Sequence, residues 1–197
     1  MPAEPTIKRA VAFVDGQNLF YAARAAFGYH FPNYDVLALA QNVCASQGWQ
    51  LTQARFYTGV PNVEDDALKN AFWAAKLLQM SRAGIHVFSR PLRYRNQRFK
   101  LPNGDEHAVL VGQEKGVDVR LALDIVAAAY SQTADVLLVF SQDQDLSEVA
   151  DEVRRIAAGQ GRWLKIASAF PFSPAPTARG ASPAPRRRCA PCRHASR

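Results

Sequence analysis

The sequence predicts an α/β fold: a central, mainly parallel sheet between two layers of helices, with a small β-hairpin inserted. Three observations predict it. Short runs of apolar and β-branched residues alternate with longer segments whose apolar residues recur at helical spacing. Strands separated by helices imply parallel βαβ units with right-handed crossovers. One stretch, 92–111, instead alternates residue by residue around Pro102-Asn103-Gly104, which is a hairpin signal. The composition agrees, since 197 residues that are 48% hydrophobic and 21% charged suit one ordinary globular domain.

Residues 8–14 read as a strand ended by Asp15-Gly16. Residues 19–27 and 35–47 read as helices, stopped by Gly28 and Gly48. A second strand, 51–58, ends at Gly59 and Pro61. Residues 65–82 read as an amphipathic helix with Leu68, Phe72, Ala75, Leu78 and Gln79 at helical spacing. Residues 85–89 form a third predicted strand before the hairpin. Then follow a helix over 117–130, a fully apolar strand over 135–141, a helix over 145–158 and a last strand over 163–168. Phe72, Trp73, Trp163 and Cys44 are core candidates.

The charge is unevenly spread. Net charge is +7, yet 18 of the 24 basic residues and all 17 acidic ones lie in 1–170, so the basic excess belongs mainly to the tail. From Pro171 onward lie six of the 12 prolines and six arginines with no acid. Such a stretch cannot bury enough apolar surface to offset its ordering entropy. The expectation is an ordered domain over 1–174 and a disordered Pro/Ala/Arg-rich tail over 175–197. No apolar run approaches the ~18 residues of a membrane span, so no membrane partner is expected. The N-terminus has no signal-peptide core, and three cysteines suit a reducing cytoplasm. Cys189 and Cys192 with His194 lack the second ligand pair that a structural zinc needs.

The carboxylates carry the chemistry. Asp15 directly follows the first buried strand, in Phe13-Val14-Asp15-Gly16-Gln17-Asn18. Asp143 and Asp145 directly follow the apolar strand, in Ser141-Gln142-Asp143-Gln144-Asp145. In a parallel sheet both groups fall at carboxyl ends, where ligands bind. Asp118 lies in the first turn of a helix, in Lys115-Gly116-Val117-Asp118-Val119. If that helix starts at the same edge, four carboxylates converge and repel one another unless a cation neutralises them. Oxygen-only ligands select a hard ion such as Mg²⁺ or Mn²⁺, and the chemistry suggested is metal-dependent phosphodiester hydrolysis. Each acid also has a plainer reading. Asp145 with Glu148 is a capping box, Asn18 a helix N-cap, Asp118 an acid favoured by the helix dipole, and Asp15-Gly16 a turn. Capping alone does not require acids after two separate buried strands.

Those three motifs, in that order and spacing, resemble the NYN domains, which are PIN-like nucleases, in their LabA-like bacterial branch. The resemblance covers roughly residues 8–174. It implies a PIN-like, Rossmann-like three-layer sandwich and a Mg²⁺-dependent ribonuclease site acting on single-stranded RNA. Asp15, Asp118, Asp143 and Asp145 would form its acidic metal site, and Asn18 would orient Asp15 or a bound water. Asp124 matches an acid common in the family and is read as structural. Gln142 stands where the family usually has glycine, and Leu146 where it often has an aromatic. The family's basic continuation after the last strand is replaced by the proline-rich tail.

Arg90, Arg93, Arg95, Arg98 and Lys100 interleave with Tyr94 and Phe99 on the predicted hairpin. Arginines that bind phosphates and a ring that stacks on a base would make it an RNA-contacting element, the plainer reading being a solvated hairpin. Lys115 is a further phosphate-contact candidate. The rival functions are a phosphatase with an aspartate nucleophile, disfavoured by Gln17 two residues after Asp15, and a nucleotide-dependent oxidoreductase, disfavoured because no G-x-G-x-x-G follows the first strand. A third rival is a non-catalytic RNA-binding or scaffold protein that keeps the fold, with homodimerisation as one possibility.

Overall fold

The structure is a computed structural model that describes residues 2–100 and 106–173. The expected tail, 175–197, and the predicted turn Pro102-Asn103-Gly104 lie outside the described residues. Five parallel strands form the central sheet: β1 (Lys8–Asp15), β2 (Trp49–Val60), β3 (His86–Pro91), β6 (Val136–Phe140) and β7 (Lys165–Ser168). Their order is β3-β2-β1-β6-β7. β4 (Arg93–Lys100) and β5 (Glu106–Gln113) pair antiparallel as the inserted hairpin. The helices are α1 (Gly16–Phe27), α2 (Val36–Ser46), α3 (Ala67–Arg82), α4 (Val117–Tyr130) and α5 (Leu146–Gly159).

Strand periodicity divides the core in two. Ala10, Ala12 and Val14 of β1, with Val136, Leu138 and Phe140 of β6, face one layer. Val36, Ala40 and Cys44 of α2, Leu19 of α1 and Met80 of α3 cover them. The intervening residues Val11, Phe13, Leu137 and Val139 face the other side, against Leu121 and Ile125 of α4 and Val149, Val153 and Ile156 of α5. Both faces are thus covered, which is why β6 is apolar at all five positions. From β1 the chain steps one way to β2 and β3, and later the other way to β6 and β7. The switch point therefore lies between the carboxyl ends of β1 and β6.

Two local readings are corrected. Helix α1 begins at Gly16 rather than residue 19, because Asp15 is the cap: its carboxylate accepts a hydrogen bond from the Asn18 N–H at 3.0 Å. Asn18 is inside the helix. On α3 the buried edge is not Leu68-Phe72-Ala75-Leu78-Gln79; Leu68 is 86% exposed and Leu78 52%. Trp73, Leu77 and Met80 face the sheet instead, with Trp73 stacked on Phe56. Both stripes have helical spacing, and Trp73 and Met80 are the larger pair to bury. Phe72 is accordingly exposed, whereas Trp163 packs on the core.

Asp135 clips the opposite edge of the sheet. Its carboxylate accepts from the Arg9 main-chain N–H at 2.9 Å, from Nε at 3.0 Å and from Nη2 at 3.1 Å. Its own N–H donates to the Arg9 carbonyl and its carbonyl accepts from the Lys165 N–H, so one residue joins the starts of three strands. The hydrogen bonds from Arg9 hold its carboxyl below the usual range. A depressed folded pKa stabilises above the ordinary carboxylate pKa of about 4 and loses that contribution as pH falls through the folded value. Asp135→Asn is expected to cost about 2 kcal/mol at neutral pH. Urea unfolding should show the gap from wild type narrowing below about pH 4; a gap of constant size would refute the assignment.

Candidate active site

At the switch point the sequence places polar groups where a buried strand must stop. Asp15 ends β1, with one carboxylate oxygen capping α1 and the other accepting from the Ser141 hydroxyl at 3.3 Å. Ser141, the buried residue after β6, also accepts from the Asp143 N–H at 3.1 Å. The Asn18 side-chain carbonyl accepts from the Gln142 N–H at 2.9 Å, which ties the first turn of α1 to the loop after β6. The Asp143 carboxylate accepts from the Asp145 N–H at 3.0 Å. These bonds fix the two strand ends against each other.

A cleft of about 450 Å³ opens here, lined by Asp15, Asn18, Asp118 and Asp143 together with Tyr21 and Glu114. Asp118 arrives from the first turn of α4, which starts at the same edge of the sheet. Gly116 allows this start: its φ of 76° is a conformation that L side chains rarely adopt. Asp145 does not line the cleft. It sits in helical conformation before α5 and makes no capping bond, so the capping-box alternative is not realised.

Glu114 is the residue that the sequence reading passed over. It precedes Asp118 by four positions, but its place depends on contact with the end of β2, far away in the chain. The Gly59 N–H donates to its carboxylate. A Cβ on Gly59 would come within 2.6 Å of Glu114 Cγ, so only glycine leaves room for this approach. In the sequence Gly59 marks only the end of the predicted strand 51–58.

The site is under electrostatic strain. Burial pushes the Asp15 carboxyl up, and the charge of Asp143 adds to the shift against the hydrogen bonds from Asn18 and Ser141. Glu114 is pushed up to about 7, first by burial and then by the charges of Asp15 and Asp118. Among the described residues no basic side chain lines the cleft. Nor do three His, Cys, Asp or Glu side chains there come close enough together to hold one metal ion. The donor set therefore suits a hard divalent cation held by one or two carboxylates with water completing its shell. It does not suit an all-protein cage.

The other predicted residues lie elsewhere. Lys115 is exposed outside the cleft. On β4 the two-residue period puts Arg93 and Arg95 on one face and Tyr94 and Arg98 on the other, so the basic segment is not one surface. The Tyr94 phenol is pushed up by burial and by Asp65 and Asp66, the acids before α3. The side chain of Lys100 lies outside the described residues. Asp124 is buried and structural: it accepts from the Tyr57 hydroxyl at 2.8 Å and pairs with Arg120 at 2.8 Å.

Among curated proteins, none matches the chain. The sequence does match the NYN domain family over residues 9–166, a span running from β1 into β7. With the five-stranded parallel sheet and the acidic cleft at its switch point, that match places the chain in the NYN domain family of the PIN-like nuclease superfamily.

Proposed function

We propose that this chain is a metal-dependent ribonuclease that hydrolyses phosphodiester bonds of single-stranded RNA, with Asp15, Asp118 and Asp143 surrounding a hydrated Mg²⁺ or Mn²⁺, one or two of them bound to it directly and the rest through water. The observation that carries the reading is the concentration of carboxylates in one cleft without a lining cation, where burial first and the neighbouring acids second push Asp15 and Glu114 up. Groups perturbed in this way by burial and like charge cluster at functional sites. A bound divalent cation would supply Lewis-acid chemistry, making water more acidic and neutralising charge on the reacting phosphate.

The chain's own contribution is positioning. Ser141 holds the Asp15 carboxylate and the Asp143 main chain together, and Asn18 fixes the loop that carries Asp143. Asp118 faces them across the cleft from α4. Asp145 supports this arrangement through its N–H to Asp143.

A second reading, a non-catalytic RNA-binding scaffold that keeps the fold, is favoured by one observation: the described carboxylates do not converge in threes. One assay separates the two. Purified full-length protein is expected to cleave labelled single-stranded RNA with Mg²⁺ or Mn²⁺ and to stop when EDTA is added. RNA binding without cleavage under every divalent condition would leave the scaffold reading.

A further inference from the structure

A second groove, of about 310 Å³, lies at the carboxyl ends of β2 and β3 beside α3. Pro61 and Leu77 give it apolar walls, Asn62, Asn70 and Ser89 supply polar groups, and Arg90 also lines it. The Asn70 side-chain N–H donates to the Pro61 carbonyl at 2.7 Å, and that of Asn62 to Asp65 at 3.1 Å. Both amides are thus held on their donor side, and their carbonyl oxygens remain as acceptors.

Arg90 connects this groove to the acidic cleft. It lines the groove, while its guanidinium lies 2.8 Å from where a Cβ would stand on Gly116, the residue before α4. Its guanidinium carbon stands 5.5 Å from the centre of the Phe88 ring, which rests on Tyr57. Arg120 approaches the same ring but is paired with Asp124. Arg90, by contrast, has no carboxylate within ion-pair distance among the described residues. A guanidinium held by a ring and by a glycine notch, with no acid of its own, is suited to an external anion of phosphate geometry.

We propose that single-stranded RNA leaves the acidic cleft across Arg90, which binds a backbone phosphate, and lays an unpaired nucleotide in the β2–β3 groove. This rests on the nuclease reading and deepens it. The acidic cleft alone repels a polyanion, and Arg90 supplies an attractive charge at its edge. The groove takes a base whose hydrogen-bonding edge is free to meet the Asn62 and Asn70 carbonyls, which a paired base in a duplex is not. Phe88 is a positioning residue, because it orients the guanidinium without facing the groove.

The test uses the full chain and a short labelled single-stranded RNA, with binding followed by anisotropy in EDTA and cleavage followed with Mg²⁺. Arg90→Ala is expected to weaken binding about tenfold. It should also make the slope of log K against log salt shallower by about 0.7, the share of one phosphate on a single strand. Arg90→Lys should keep the slope. Ala74→Trp, which fills the groove from α3, should weaken single-strand binding while duplex binding stays the same. Melting temperatures close to wild type would show that neither effect comes from unfolding. If wild type cleaves RNA but both variants bind it as tightly as wild type at every salt concentration, the path is wrong and the nuclease reading stands. Equal losses on duplex and single strand would also overturn the groove. A wild type that neither binds nor cleaves RNA overturns both readings.

Discussion

Asp143→Asn and, separately, Asp15→Asn are each expected to reduce RNA cleavage on the order of a thousandfold while leaving a folded protein. The two halves of this expectation have different physical sources. The loss follows because each change removes a negative oxygen from a cleft proposed to hold a divalent cation. The retained fold follows from the hydrogen bonds. The Asp143 carboxylate accepts from the Asp145 N–H and the Asp15 carboxylate from the Asn18 N–H, and an asparagine carbonyl can accept in both places. For Asp15 the melting temperature should hold or rise, since burial and the neighbouring Asp143 both disfavour its charge. The double variant should be about as inactive as either single one, because groups acting as a unit are not additive. Cleavage assays with thermal melts would check all of this. Wild-type rates in both variants would trace the activity to a contaminant, and a collapse of the melting transition would make the two acids structural instead.

Much of this arrangement was legible in the sequence because parallel sheets obey a strong rule. A buried strand reads as an unbroken apolar run, and the first few polar residues after it land at the carboxyl edge. Asp15 and Asp143 announce themselves in this way, and Asp118 follows once α4 is seen to start at the same edge. Where two answers satisfied the same local rule, the sequence did not choose between them. Asp15 and Asn18 are both good helix caps, and the bond from the Asn18 N–H to Asp15 decides for the first. Both stripes of α3 have helical period, and only the sheet's position reveals that Trp73, Leu77 and Met80 face inward. Glu114 was illegible for another reason: its role depends on a main-chain N–H 55 residues earlier, at a glycine whose missing side chain makes room for it. The hairpin cations were legible as a basic segment, but which of them share a face depends on strand alternation, which puts Arg93 and Arg95 on one side and Arg98 on the other.

Glu114 also gives the cleft a measurable signature in stability. Its folded pKa of about 7 stands well above that of a free glutamate, first because of burial and then because of Asp15 and Asp118. A raised folded pKa means that the native state holds the proton more tightly than the unfolded chain does. The contribution of the neutral carboxyl is therefore complete at acid pH and lost as pH rises from the unfolded value through about 7. At full ionisation the loss is about 3 kcal/mol. Glutamine keeps the acceptor for the Gly59 N–H but carries no charge at any pH. In metal-free buffer, Glu114→Gln should match wild type near pH 4 and exceed it near pH 8 by about 3 kcal/mol. Urea unfolding at the two pH values measures this directly. Parallel curves would mean that Glu114 feels neither the burial nor the neighbouring acids. Divergence at high pH would show a native state that keeps a costly negative charge in a cleft where a neutral side chain folds better. Such a cost persists when function needs the charge, and the divalent cation proposed for this cleft would offset it.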